Sequence, residues 1–290
     1  MIGLRRLTLG LFLLACAGRA QERDDLLTAG LVLYSERRYA EARVALRASE
    51  TQRMGDPVVD FHLGRIALWF DDTAEATERL ERARLHAPGD ARIHNALGDA
   101  YGLAAQQAPL FSKLGWAKKC LAAYERAVAL EPDNPAFHWS LLAYALFAPR
   151  IAGGGMEKAR AAAARIKALD HAGGHAAFIT VHLAEEQFDL AFAEANERLT
   201  ADPDDFIALY QFGRCAAVSG RAIEQGIVAL QRCLDLAEPE GDGRPSHALV
   251  HYRLGNLLEK QGQATSAKAH YAQAYVRHPD FNPIKMTLKN

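Results

Sequence analysis

Along this chain, apolar and small residues recur at helical spacing, and the spacing itself returns about every 34 positions. The stretch 58–90 carries Leu63 and Gly64, a small-polar turn, then Ala76, Leu80, Ala83 and Pro88. The stretch 248–281 carries Leu254 and Gly255, a similar turn, then Ala267, Tyr271, Ala274 and Pro279. Partial copies fill most of the remainder. Gly30, Tyr39, Ala42 and Leu46 mark a first unit; Leu97, Gly98, Tyr101, Tyr124, Ala127 and Pro132 a third; Ala159 and Ala163 a fourth. Phe188, Ala191 and Pro203 mark a fifth, and Phe212, Gly213, Gly220 and Leu230 a sixth.

Each recurring residue has a physical reason. Gly64 and Gly255 let two helices approach where a Cβ would collide, and Ala76 and Ala267 do the same from the second helix, where overpacking costs about 1–3 kcal/mol. Leu80, Tyr124 and Tyr271 fill the space between helices. The closing prolines stop a helix, and the acids after them, Asp90, Asp133, Asp204 and Asp280, are placed to cap or charge the next N-terminus. One such hairpin cannot bury its own apolar faces, so stability must come from stacking.

The pattern resembles the tetratricopeptide repeat, a 34-residue helix–turn–helix unit. The resemblance implies an all-α fold: an α-solenoid of about seven helical hairpins forming a right-handed superhelix. Its units fall near 23–56, 57–90, 91–134, 135–171, 172–205, 206–238 and 248–281, with a capping segment at 282–290. Three departures stand out. Ten extra residues lie between the helices of unit three, within "LAAQQAPLFSKLGW". Unit four is about five longer, through "PRIAGGG", and unit six runs into the polar loop "EPEGDGRP".

The run Gly153-Gly154-Gly155 raises the question of a phosphate cradle. A nucleotide loop needs GxxxxGK[ST] after a strand, and neither is present. Pro149 ends one helix and Glu157 suits the first turn of the next, so the run reads as a turn, with an anion site using Arg150 as the lesser alternative.

Half of the 290 residues are hydrophobic and 24% are charged, ordinary for a globular chain. Lys plus Arg number 34 against 35 for Asp plus Glu, with no block of five like charges, which argues against a nucleic-acid partner. At the N-terminus, Arg5 and Arg6 precede the short apolar run "LTLGLFLLACA", followed by Ala17, Gly18 and Ala20. That is the layout of an export signal over residues 1–20, too short to span a bilayer. Two cleavage chemistries compete. "LLAC" resembles the lipobox of bacterial lipoproteins, which would lipidate Cys16, whereas Ala17 or Ala20 offers ordinary cleavage. Loss of residues 1–20 removes three arginines and no acid, moving the formal charge from −1 to −4. The expected location is the periplasm, or a periplasm-facing membrane surface, of a Gram-negative bacterium.

Beyond Cys16, the cysteines Cys120, Cys215 and Cys233 form no CxxC pair. Small buried side chains are the expectation, with a Cys215–Cys233 disulfide as the alternative. His171/His175 and His247/His251 each stand four apart, a spacing that suits metal ligation on one helix. Gly173-Gly174 argues against a continuous helix at the first pair, and no carboxylate–cysteine set in the local sequence completes either one. No metal site and no cofactor are therefore expected. No GxSxG or Cys-His setting appears, so the chain does not read as an enzyme.

Solenoids bind through the surface made by the first helix of each unit. Aligned on the repeat, that row reads Leu27/Leu31, Phe61/Arg65, Asn95/Asp99, Trp139/Ala143, Ala176/Thr180, Tyr210/Arg214 and Tyr252/Asn256. Rings with amides and guanidinium groups suit a peptide. The expected groove residues are Phe61, Arg65, Asn95, Asp99, Trp139, Tyr210, Arg214, Tyr252 and Asn256. Some chaperone-binding members of the family clamp a C-terminal carboxylate with lysine, asparagine and arginine. Here Leu27, Phe61 and Asn95 occupy the lysine-type places, so that specificity does not transfer. The resemblance thus implies an exported scaffold for a protein or peptide partner. The alternatives are a lipid-anchored assembly factor, or an enzyme or small-molecule binder using the glycine turn or the histidines.

Overall fold

The computed structural model describes residues 25–50, 55–240 and 244–277. The export-signal segment with Cys16, Asp280 and the capping segment lie outside them. All regular structure among the described residues is helical. It forms two compact units that divide after Pro132.

The first unit holds α1 (25–35), α2 (Tyr39–Glu50), α3 (Pro57–Trp69), α4 (Thr73–His86), α5 (Ala91–Gln107) and α6 (Leu110–Leu130). The second holds α7 (Pro135–Phe147), α8 (Met156–Leu169), α9 (His171–Ala184), α10 (Phe188–Ala201), α11 (Phe206–Ser219), α12 (Ile223–Asp235), α13 (His247–Lys260) and α14 (Ala264–Arg277). Helices pack consecutively within each unit. In addition, α3 touches α5, α7 touches α9, α9 touches α11 and α11 touches α13, so the first helices of successive hairpins form a layer of their own.

Side-chain caps set where the hairpins begin. Asp56, Asp90, Asn134, Asp205 and Ser246 accept a hydrogen bond from a backbone N–H in the first turn of α3, α5, α7, α11 and α13. Of the acids expected to cap or charge helix starts, Asp90 caps as anticipated. Asp133 and Asp204 sit one residue too early, and each pairs instead with an arginine, Arg165 at 2.7 Å and Arg232 at 2.8 Å. Four of the tight turns inside hairpins hold one residue each with left-handed backbone, Arg37, Asp71, Glu186 and Gly262, and the α11–α12 turn holds two, Gly220 and Ala222.

Close approach explains the Leu-Gly and Ala positions. A Cβ on Gly255 would lie 2.3 Å from the Tyr271 ring, and Ala76, Ala83, Ala159, Ala163, Ala267 and Ala274 are fully buried. The extra residues of the third hairpin do not form a loop. They lengthen both helices, so that α5 reaches Gln107 and α6 resumes at Leu110 after Ala108-Pro109. Pro109 enforces the break, because the residue before a proline avoids the helical region.

In the first unit Asp60 is 1% exposed and anchors an ion network that the repeat pattern does not announce. Arg79 Nη1 and Arg82 Nε donate to it at 3.1 and 3.0 Å, and both arginines also reach Glu50. In the second unit a large apolar cluster centres on Tyr210, Leu230, Leu249, Leu254 and Leu257.

Candidate functional site

The first-helix residues expected to face a ligand split between the two units. In the first unit Phe61 is half-buried, with the Arg92 guanidinium 5.6 Å above its ring, and Arg65 lies near His62. Asn95 keeps its Oδ1 buried and without a hydrogen-bond partner, and Asp99 accepts from the Tyr124 hydroxyl at 2.9 Å. Asp99 is thus occupied in bracing α6.

In the second unit the row runs along α7, α9, α11 and α13. Trp139 packs against the α7–α8–α9 core. Tyr210 corrects the sequence expectation: its ring is 0% exposed and belongs to the core, enclosed by residues of α11, α12 and α13. Its hydroxyl is buried without a partner. Tyr252 is half-buried against the same core, 5.7 Å from the Tyr271 ring. The Asn256 side-chain oxygen accepts from the Tyr271 hydroxyl at 2.9 Å.

Arg214 is where charge concentrates. Its Nη1 donates to Thr180 Oγ1 on α9 at 2.9 Å and to Gln211 Oε1 at 3.2 Å, both neutral acceptors. Burial depresses its pKa, the nearby Tyr210 acts in the other direction, and the neighbouring Arg253 lowers it further. Arg253, on α13, is 9% exposed and keeps a buried Nε with no hydrogen-bond partner, its guanidinium 5.8 Å from the Tyr252 ring centre. Among the described residues no carboxylate pairs with either arginine. Arg214 is half-buried and Arg253 nearly buried, so the pair is partly shielded from water, and a ligand anion would supply the counter-charge it lacks. Beside it lies a hollow of about 430 Å³ lined by Ala217, Arg253, Asn256, Glu259 and Lys260.

Repeat alignment missed Arg253 because it stands one position past the frame residue Tyr252, matching Gln211 rather than Arg214. The available signal was a lone arginine inside the apolar run "ALVHYRLGNLL".

The glycine run is a turn. Arg150–Ala152 forms one turn of 3₁₀ helix, Gly153 and Gly155 take φ of 97° and 138°, and a Cβ on Gly154 would meet the Ala148 carbonyl oxygen at 1.9 Å. All three glycine N–H groups are spent inside the turn, on the carbonyls of Arg150, Pro149 and Ala145. The Tyr144 hydroxyl locks it by donating to Ala152 O at 2.6 Å. Anion binding through these amides would break the turn.

The three cysteines within the described residues are buried and free, so Cys215 and Cys233 do not pair. Burial pushes each thiol up to about 12, far from a reactive thiolate. The histidine pairs turn out differently from each other. Contrary to expectation, His171 and His175 share one continuous helix; Gly174 is there because α8 passes so close that a Cβ would sit 2.4 Å from Lys167 Cα. His247 is taken up by the carbonyls of Cys233 and Leu236, while His251 Nδ1 lies 2.9 Å from His270 Nδ1 on α14. No described helix is long and apolar enough to cross a membrane.

Comparison with known proteins agrees with this architecture. The profile described as tetratricopeptide repeat matches residues 33–100. A thermophilic tetratricopeptide-repeat protein of Thermus thermophilus superposes with a TM-score of 0.56 at 20% identity, over 67% of this chain and 98% of that one. A tetratricopeptide repeat protein from Parabacteroides merdae gives 0.58 at 13% identity, over 93% and 97%. A chain of the APC/C hetero-tetramer Cut9–Hcn1 gives 0.52 at 13% identity, over 90% and 48%. At such identities the likeness is one of fold. No curated protein matches the sequence.

Proposed function

We propose, from the premise that this chain is a tetratricopeptide-repeat protein, that it is an interaction scaffold whose second unit takes an acidic peptide segment on the first-helix layer. The coarse part follows from the fold, which is that of protein-interaction scaffolds. The finer part rests on one observation: Arg214 and Arg253 lie together at this layer, no carboxylate among the described residues answers either, and the lined hollow adjoins Arg253 and Asn256. A ligand carboxylate supplies the absent charge, and Asn256 offers its amide to a peptide backbone. Phe61, Arg65 and Asn95 are the corresponding residues to test in the first unit; Trp139 and Tyr252 supply apolar area in the second. Tyr210 acts only by holding α11 in place. That another protein of this fold is part of a hetero-tetramer, Cut9–Hcn1, is in keeping with a scaffold role.

Export to the periplasm belongs to the same proposal, on the strength of Arg5, Arg6 and the short apolar run that follows. The mass of the mature protein tests it: a start after Ala17 or Ala20 supports soluble export, a diacylglycerol adduct on Cys16 supports a lipid anchor, and an intact residue 1–20 segment refutes both.

The binding test is fluorescence anisotropy with labelled acidic, neutral and basic peptides at low and moderate salt. Acidic peptides should bind, and added salt should weaken them. Equal binding of acidic and basic peptides would refute the assignment.

A further inference from the structure

Away from the Arg214–Arg253 pair, the fifth hairpin brings together three groups that the sequence separates. His175 lies on α9, 2% exposed, and Glu194 and Glu197 lie on α10, one helical turn apart. His175 Nδ1 is 2.5 Å from Glu194 Oε2, and one ligand atom from each of the three residues lies within 4.8 Å of the others. His171, one turn before His175 on the same helix, holds its ring 4.9 Å from that of His175.

We infer that His175, Glu194 and Glu197 form a site for a divalent transition cation of the zinc type, bridging α9 and α10. Bond lengths near 2.1 Å place the donors of a tetrahedral ion about 3.4 Å apart, so rotamer adjustments of the two glutamates close the shell. An imidazole with two carboxylates favours zinc or a neighbouring first-row ion over calcium, which takes oxygen alone. The histidine is fixed by burial, Glu194 is half-buried, and Glu197 is exposed, which leaves an entry route from solvent. Three protein ligands leave a fourth position for water or for His171.

Lys167 is the charge that competes with the ion. Its Nζ stands 3.7 Å from Glu194 Oε2, where it offsets part of the negative charge in the ion's absence. Its tip also lies 5.4 Å from the Phe178 ring centre, a second resting place once the cation is bound. The local sequence hid the site because the carboxylates reach His175 across a helical hairpin, 19 positions along the chain.

The test is titration of the full chain with Zn²⁺ against a chromophoric chelator, with helix content followed by circular dichroism. Wild type should bind one equivalent at this site. Glu197→Gln changes an exposed residue and keeps the fold, and it should weaken binding at least tenfold; Glu194→Gln should abolish it, and Lys167→Met should tighten it. His251→Ala/His270→Ala controls for the other histidine cluster and should retain the equivalent. Unchanged affinity in both glutamate variants would overturn the inference, as would loss of the equivalent in the His251/His270 variant alone. Absence of stoichiometric binding in folded wild type would also overturn it.

Discussion

Gly98→Ala adds a single carbon at the tightest helix crossing of the first unit, and the structure gives its cost. That Cβ would lie 2.3 Å from Tyr124 Cδ1 and Cε1 and 2.9 Å from Cζ. Ordinary carbon contacts need about 3.5 Å or more. Tyr124 cannot easily yield, because its ring is 8% exposed and its hydroxyl is bonded to Asp99. Overpacking of this kind costs about 1–3 kcal/mol, and replacing a helical glycine by alanine returns up to about 1 kcal/mol. The net expectation is destabilisation by about 1–2 kcal/mol. Gly102, one turn later on the same helix, is the internal control, since a Cβ there meets only Cys120 Sγ at 3.5 Å. Gly102→Ala should therefore stabilise by about 0.5–1 kcal/mol. Urea unfolding followed by circular dichroism reads both as shifts in midpoint at constant slope. Opposite signs are predicted, with Tyr124→Leu relieving most of the Gly98→Ala loss. Shifts of the same sign in the two alanine variants would refute the packing argument.

Other predictions bear on charge and titration. Asp60→Asn leaves Arg79 and Arg82 without their most buried counter-charge and should cost about 3–5 kcal/mol in urea unfolding. Tyr210→Phe removes an unpartnered buried hydroxyl, so stability should hold or rise by about 1 kcal/mol, whereas Tyr210→Ala should lose about 3–5 kcal/mol. Burial and the facing His270, with Arg277 and His247 also near, push the pKa of His251 from 6.5 down to about 4. The unfolded chain therefore takes up the proton first as pH falls. Stability should be full above about pH 6.5 and decline toward pH 4, by at most about 3 kcal/mol from this residue. His251→Leu should flatten that decline.

Much of the fold was legible because its signature residues do backbone-level work. A glycine or alanine at a helix crossing is dictated by the distance between two helices, so Gly64, Gly98, Gly213 and Gly255 mark their hairpins in any surrounding sequence. The long third hairpin was not legible: ten extra residues with helical propensity extend two helices as readily as they make a loop, and only Pro109 hints at the break. The candidate site was read less well for a related reason. A repeat frame places Tyr210 and Tyr252 at equivalent positions, yet burial depends on neighbours from other hairpins, and α12 and α13 enclose the first ring more completely. Arg253, Asp60 and the glutamates facing His175 depend on pairings between helices, which periodicity along one chain does not encode. The glycine run could be judged correctly because the absence of a lysine–hydroxyl pair is a local fact.

The scaffold reading stands most directly on Arg214. Arg214→Met removes a half-buried cation that meets only neutral acceptors, so Tm should move by no more than a few degrees. Binding of the acidic peptide, measured by anisotropy on the same preparation, should fall at least tenfold, with Arg214→Lys intermediate. Undiminished peptide binding by a folded Arg214→Met protein would contradict the account.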